Sequence, residues 1–379
     1  MYDVAVVGAG PAGATAALKL AEAGAHVVLL EKQELPRYKT CGGGIVGRAR
    51  RLLNLDIGRV VERECRAVRL TLLQSGLSFH VQRNEPIISM TMRASLDHRL
   101  ASAAQAAGAV LRTGSPVDAL SCAAGYVRLV TKSGPVSAKF VIAADGVNSV
   151  VARSAGWKES RRLIPAIEAE VRLRDNAMDR HIGSARFDFD LPPHGYAWLF
   201  PKREHLSIGV LTMRRGRGGL KADYAQYLQA TGIKDFVTED RHGFVIPLSA
   251  RRDGFARNRV LLVGDSAGFA DPLTGEGISF AIQSGRIAAE ALLAEHFDAD
   301  RSLAGYERCV RGTIVRELVA ARMLARLLYG TRRFRTWAFG RHGKKLTEAV
   351  TDVMMGTRSY HASLCNVRQY LRRLKPRGG

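Results

Sequence analysis

The residues able to do chemistry sit in short segments marked by glycine. Gly8-x-Gly10-x-x-Gly13 follows an apolar run and opens a stretch of helical spacing. Gly8 permits a tight turn, Gly10 lets the backbone approach a pyrophosphate, and Gly13 lets helix and strand pack closely. A helix N-terminus there, with Ala12 in its first turn, offers N–H groups and a positive dipole end to phosphates. Glu31, followed by Lys32, closes the next apolar run at about the 20-residue spacing where an acid binds ribose hydroxyls. Asp145-Gly146 and Gly264-Asp265 each end a further apolar run, where a carboxylate can accept bonds from polyol hydroxyls. Arg93 opens the segment Arg93-Ala-Ser-Leu-Asp97 ahead of a helical stretch. Cys41-Gly42-Gly43-Gly44 sets a thiol in a loop that no ordinary strand or helix tolerates. Tyr196, Trp198 and Phe200 fall at i, i+2 and i+4, the spacing that puts three side chains on one face of a strand.

These groups need elements to hold them. Residues 3–8 read as a buried parallel strand, 11–23 as a helix with Pro11 in its first turn and Gly24 at its end, and 26–30 as a second strand. Strand, glycine turn, helix and strand in that order form the dinucleotide-binding unit. Residues 96–107 read as an amphipathic helix, 110–144 as strands, and 160–255 as mostly strand-like. A short strand at 260–263 precedes a glycine-punctuated loop and a helix over 277–293. The fold class is α/β (α+β): a Rossmann-like FAD-binding domain, an interleaved β-sheet substrate domain and a helical C-terminal region. The FAD-binding domain takes 1–160, with part of the substrate domain near 65–92, and returns over 258–300. The β-sheet domain takes 161–257, and 301–379 is a basic helical region.

FAD is favoured over NAD by the recurrence of the later segments, 140–146 and 260–266, each an apolar strand ending in a glycine–aspartate pair. The order GxGxxG, Glu31, Arg93, Asp145-Gly146, Gly264-Asp265 resembles the p-hydroxybenzoate hydroxylase superfamily of flavoproteins over roughly residues 1–290. Three segments resemble the geranylgeranyl reductase family more narrowly. They are Pro36-Arg37-Tyr38-Lys39 leading into Cys41-Gly42-Gly43-Gly44-Ile45, Tyr196-x-Trp198-x-Phe200-Pro201 followed by Ser207-Ile-Gly209, and Asp271-Pro272-Leu-Thr274-Gly275-Glu276-Gly277-Ile278. Members of that family saturate isolated double bonds of prenyl chains. The resemblance implies FAD contacts at Gly8, Gly10, Ala12, Gly13, Glu31, Lys32, Cys41, Gly42, Arg93, Asp145, Gly264, Asp265, Gly275, Gly277 and Ile278.

An isolated alkene is not polarised, so its reduction needs a hydride from reduced flavin and a proton from a nearby acid. Cys41 is a candidate donor or a filler of the glycine loop, and Tyr38 or an ordered water can serve equally. Tyr196, Trp198 and Phe200 form an aromatic wall for an apolar polyene. The faces of Tyr196 and Trp198 can ease positive charge on a tertiary carbon. Residues 274–277, at a helix N-terminus, are expected to present N–H groups to the electron-rich end of the flavin. With no second strand-linked GxGxxG, electrons are expected from NADPH or a reduced ferredoxin-like carrier.

Two departures bear on a monooxygenase or halogenase, the main rival reading. Gly268 stands where aromatic hydroxylases of the superfamily carry His, and Tyr196 and Phe200 replace the Trp and Ile of the halogenase segment. A halogenase would also want a poised lysine, for which Lys39 and Lys202 are candidates. A non-catalytic flavoprotein that binds prenyl lipids is the rival from another class.

Composition bounds the rest. The 379 residues, 46% hydrophobic and 24% charged, are those of an ordinary globular chain. Cys41, Cys65, Cys122, Cys309 and Cys365 lack CxxC spacing, so neither a disulfide framework nor a metal site is suggested. A reducing cytoplasm, without a leader or a membrane span, is the expected setting. The net charge is +22, and residues 301–379 hold 18 Lys and Arg against 4 Asp and Glu. Such a region suits an anionic partner, with nucleic acid not expected. Residues 317–341, basic with interleaved aromatics, either pack on the flavin domain or lie on an anionic membrane, and their arginines suit a diphosphate.

Overall fold

The computed structural model describes residues 1–364 apart from 215, 217 and 235. Cys365 and the basic stretch after it lie outside the described residues. Cys41, Cys65, Cys122 and Cys309 are free thiols.

An eight-stranded sheet carries the glycine turn. Its parallel core runs Val110–Arg112, Val27–Leu30, Tyr2–Val7, Val136–Ala143 and Val260–Leu262. Val4–Val7 and Val27–Leu30 are wholly buried, as strands covered on both faces must be. The antiparallel strands Val117–Ala123 and Tyr126–Thr131 extend from Val136–Ala143. Helices Pro11–Glu22, Arg93–Ala106 and Ile278–Ala294 pack on this sheet and on one another. A Cβ at Gly285 would overlap the Ala12 carbonyl, so the first and last of these helices approach backbone to backbone.

A seven-stranded sheet runs Phe236–Pro247, Leu163–Leu173, Leu206–Thr212, Gly195–Pro201, Ala185–Phe189, Ala67–Leu72 and Leu77–Gln82. Alternation sorts its faces. Ile167, Ala169, Leu199, Ile208 and Val210 lie under helix Leu220–Thr231, while Ile164, Ala166, Tyr196, Trp198 and Leu211 face the flavin half. That helix was hidden in a region read as mostly strand. Its buried Leu220, Tyr224 and Tyr227 keep helical spacing, and Gly219 and Gly232 bound it. Gly44–Val46, Ile88–Thr91 and Val61–Cys65 form a small third sheet between the two halves.

Helix Ala299–Val310 packs on Ile278–Ala294 in the flavin half, while Arg316–Gly330 and Arg332–Met355 close over the substrate-side sheet. Ala321, Ala325, Tyr329 and Phe339 are buried there, and Leu318 is buried in the flavin-side core. The 317–341 segment therefore packs its apolar face inward. Val319, Met323, Leu327, Phe334 and Trp337 nonetheless stay exposed. Among the described residues no helix is long and apolar enough to cross a membrane.

Candidate active site

The glycine turn is built as its spacing requires. Gly8 has φ +100, and a Cβ there would strike the Ala144 carbonyl; one at Gly13 would strike the Gly8 carbonyl. Gly10 instead borders open space, with only the Arg93 guanidinium 3.7 Å from where a Cβ would stand. Helix Pro11–Glu22 starts without a side-chain cap, leaving its first N–H groups for an anion. Glu31 is buried and accepts from the Ala9 N–H at 3.0 Å and the Gln33 N–H at 3.2 Å. Arg37 bridges Glu31 at 3.1 Å and Asp97 at 2.9 Å, and Arg93 makes a two-bond pair with Asp97. Burial opposes the charge on Arg93, but the Asp97 and Cys41 side chains more than offset it and hold the guanidinium cationic. Lys32 is exposed beside this network.

The two aspartate turns differ. Asp145 Oδ2 accepts from the Val151 N–H at 3.1 Å, and its Oδ1 is buried without a partner. Asp265 makes no side-chain hydrogen bond among the described residues, and its Oδ1 lies 3.5 Å from the Cβ position of Gly277. Burial pushes the Asp265 carboxyl up from the ordinary aspartate range, with Lys39, Arg93 and Arg161 pulling it back. Arg161 clamps the turns together, donating to the Val147 carbonyl at 2.6 Å and to the Asp265 carbonyl at 2.5 Å. Gly264 is a packing glycine, 3.3 Å from the Ala12 methyl when given a Cβ.

An uncapped helix end, a cation over an open glycine and a carboxylate with no protein partner are what FAD's pyrophosphate and polyol chain require. The residues fit that cofactor.

The loop at 41–44 meets the aromatic strand. A Cβ on Gly42 would lie 3.0 Å from the Phe200 ring and 3.1 Å from Trp198 Nε1, and that indole N–H is buried without a partner. Cys41 Sγ accepts from the Gly43 N–H at 3.4 Å. Lys202 is buried, donates to the Thr91 carbonyl at 2.5 Å and abuts Gly43, so it is committed to the backbone. Lys39 Nζ stands 5.3 Å from the centre of the Phe244 ring.

Tyr196, Trp198 and Phe200 share one face, with ring centres 6.2 and 6.4 Å apart. Tyr196 and Trp198 are buried. Gly209 of Ser207-Ile-Gly209 lies directly beneath the Trp198 indole, where any Cβ would overlap the ring. The Tyr196 hydroxyl donates to the Thr274 carbonyl, fastening the wall to the loop before helix Ile278–Ala294. In that loop the N–H groups of Thr274, Gly275 and Glu276 are taken by Asp271 Oδ1, the Asp271 carbonyl and Thr274 Oγ1. Of the N–H groups expected to face the flavin from 274–277, the turn uses three to hold itself. Gly277 and Ile278 have no backbone N–H partner among the described residues.

One group had no signal in the sequence. Glu168 is fully buried and pairs in register with Gly209, which pairs in turn with Trp198. Its carboxyl accepts from the Ser207 hydroxyl at 2.8 Å and from the Tyr38 hydroxyl at 3.1 Å. Burial, and then the neighbouring Glu170, push this carboxyl up to about 8. Tyr38 is itself pushed up, by burial and by Glu168, and its ring stacks on His242 at 4.4 Å. Tyr38 lies three residues before Cys41, so the acid and the glycine loop are tied together.

Residues 1–310 match the FAD binding domain family, and the chain is an FAD-dependent oxidoreductase of that class. It is 31% identical to digeranylgeranylglycerophospholipid reductase 2 of Methanothermobacter thermautotrophicus, over 87% of this chain and 88% of the relative. It is 31% identical to the chloroplastic geranylgeranyl diphosphate reductase of Oryza sativa subsp. japonica, over 80% of this chain and 71% of the relative. A geranylgeranyl bacteriochlorophyll reductase-like protein of Thermoplasma acidophilum superposes with a TM-score of 0.80 at 24% identity, over 93% of this chain and 91% of its own. The chain belongs to the geranylgeranyl reductase family.

Proposed function

We propose that this protein saturates isolated C=C bonds of a geranylgeranyl-type prenyl chain carried on a diphosphate, a lipid or a chlorophyll precursor. The observation that carries the reading is a single face. The Tyr196–Trp198–Phe200 wall stands fastened to the 271–277 loop on one side and to the Cys41–Gly44 loop on the other, with a buried acid in the same row. Bound reduced FAD supplies the hydride equivalent at this face. The protein's own residues supply binding, geometry and the proton.

The cofactor contacts are assigned to Gly8, Gly10, Ala12 and Gly13 at the pyrophosphate, with Arg93 above them. Glu31 and Lys32 serve the ribose end, and Asp145, Gly264 and Asp265 the polyol. Cys41, Gly42, Gly275, Gly277 and Ile278 flank the ring system. An apolar chain gains about 0.8 kcal/mol per buried CH₂, so the wall binds by area and its π faces ease cationic character at a tertiary carbon. Of the donors open in the sequence, the Tyr38 hydroxyl is favoured, because protonated Glu168 at 3.1 Å can restore its proton. Cys41 then shapes the pocket beside Arg93.

NADPH or a reduced ferredoxin-like carrier is the proposed electron source. A cytoplasmic protein resting on the membrane face fits the chemistry. Val319, Met323 and Leu327 recur at i, i+4 and i+8 as an exposed stripe, and the next helix exposes the Phe334–Trp337 ring pair. A monooxygenase is disfavoured at Gly268: with φ +85, a Cβ there would strike the Ser249 carbonyl, so no histidine can stand in that place.

Dithionite-reduced protein supplied with a panel of prenyl diphosphates, phospholipids and alcohols tests the proposal by product mass. Two hydrogens gained per reduced bond supports it. Tight lipid binding with no mass change would make the protein a prenyl-binding flavoprotein instead.

A further inference from the structure

A cavity of about 480 Å³ opens between the end of strand Leu206–Thr212, the segment 248–252 and helix Arg316–Gly330. Six arginines line it, Arg162, Arg214, Arg251, Arg252, Arg322 and Arg326, and its lining holds no Asp or Glu. None of the six makes an ion pair with a carboxylate among the described residues. Arg251 is spent on structure, donating to the Ser266 and Lys158 carbonyls at 2.8 Å each. Arg322 is different: its Nε is buried with no partner. Burial lowers the basicity of its guanidinium, and Arg326, Arg252 and Arg162 lower it further. Cations gathered without a counter-charge repel one another, and such a cluster persists where it gains more from a bound anion.

The floor of the cavity is apolar. Met213, Leu248, Ala325 and Tyr329 belong to the same buried cluster as Tyr196 and Trp198. Tyr329 stands 5.9 Å from Phe189, and Phe189 stands 6.0 Å from Tyr196, so a packed, buried aromatic row links the floor of the cavity to the wall. A ligand with an anionic head and a long apolar tail matches both parts. Guanidinium forks suit phosphate oxygens, which they can engage with two bonds at once.

We propose that this cavity recognises the phosphate or diphosphate headgroup of the prenyl substrate, with Arg322 and Arg326 as its principal ligands. The assignment rests on the prenyl-reductase reading and adds to it the part of the substrate that is not reduced. The head is held at the arginines, at the outer end of the aromatic row that leads to Tyr196.

The test uses the FAD-loaded protein, wild type and the variants Arg322→Gln, Arg326→Gln and their double. Inorganic pyrophosphate is titrated calorimetrically at low salt, and KM is measured for geranylgeranyl diphosphate, for its alcohol and for a digeranylgeranyl phospholipid in vesicles. The expected result is pyrophosphate binding by the wild type that weakens by about tenfold per arginine removed. KM for the phosphorylated substrate rises in step, so that the preference for diphosphate over alcohol collapses, and Arg322→Lys restores part of it. Preference lost for the soluble diphosphate identifies that source, and preference lost for the vesicle lipid alone identifies a bilayer headgroup. Pyrophosphate binding that is absent, or equal in wild type and double variant, overturns the site. Variants that raise KM for NADPH and not for prenyl phosphates overturn the headgroup assignment in favour of the electron donor. Pyrophosphate binding that responds to the variants, in a protein that reduces no prenyl compound, would sink the reductase reading and the headgroup assignment with it, leaving an anion site alone.

Discussion

The Tyr38 hydroxyl donates to Glu168 Oε2 at 3.1 Å, joining the loop that carries Cys41 to the strand row that carries Trp198. A buried acid that stays protonated near neutrality thus sits one hydrogen bond from a hydroxyl beside the glycine loop. The groups around Glu168 are Glu170, Ser207, Tyr38 and His242, with His205 Nε2 2.9 Å from Glu170.

Turnover is predicted to fall as pH rises through about 8, where Glu168 loses its proton. Glu168→Gln should lower the rate of prenyl reduction by about 10²-fold or more, the usual scale of general acid catalysis, and remove the alkaline limb. The same substitution changes stability in a signed way. Between the ordinary glutamate range near 4.5 and about 8 the unfolded chain is ionised while the folded protein keeps its proton. Stability therefore declines across that window as pH rises, and the glutamine variant should show a flatter profile of Tm against pH. A rate–pH profile identical in the two proteins would remove Glu168 from the proton path.

Gly209→Ala places a methyl where the Trp198 indole lies. The ring must move or the strands must part, at a cost of about 1–3 kcal/mol. Thermal unfolding and turnover should both suffer while bound flavin stays at the wild-type level, because Gly209 belongs to the seven-stranded sheet and the Gly8–Gly13 turn to the eight-stranded one. Loss of flavin in parallel would show that the wall and the cofactor site are one structural unit.

Asp265→Ala removes a carboxylate that has no protein partner. The apoprotein should unfold as the wild type does, whereas FAD should bind about tenfold or more weakly, as expected for one lost charge-assisted bond. Gly13→Ala is predicted to be harsher, since its Cβ would meet the Gly8 carbonyl, and the purified variant should be colourless.

Tyr360→Phe tests the C-terminal region. The Tyr360 hydroxyl donates to Asp271 Oδ2 at 2.8 Å, and the same carboxylate holds the Leu273 N–H at 2.8 Å. Deleting the phenol leaves a buried carboxylate oxygen short of a donor, at about 1–3 kcal/mol. The loop at 271–277 should loosen, read as faster amide exchange there and lower turnover. Unchanged exchange would mean that the C-terminal helices cover the loop without restraining it.

The dinucleotide fold was legible in the sequence because its constraints are local. Gly8, Gly10 and Gly13 serve one turn, and Glu31 returns to it by way of Ala9 N–H after a single helix. Tyr196, Trp198 and Phe200 were legible because strand alternation fixes their common face. Glu168 was not: it is one acid in an alternating strand, and its partner Tyr38 lies 130 residues away. Arg161 was silent for the same reason, joining turns that only the fold brings together. Helix Leu220–Thr231 was missed among strands because its apolar spacing is brief, and its buried Asp223 breaks the pattern.

An oxygen-free single turnover decides whether reduced flavin passes its hydride to a prenyl chain. Protein reduced with dithionite is mixed with geranylgeranyl diphosphate, and flavin absorbance is followed by stopped flow in the wild type and in Glu168→Gln. The flavin should reoxidise in the wild type as the prenyl chain gains two hydrogens, and far more slowly in the variant. Flavin that stays reduced with every prenyl substrate, and reoxidises only when oxygen is admitted, would instead mark the protein as an oxygen-using enzyme.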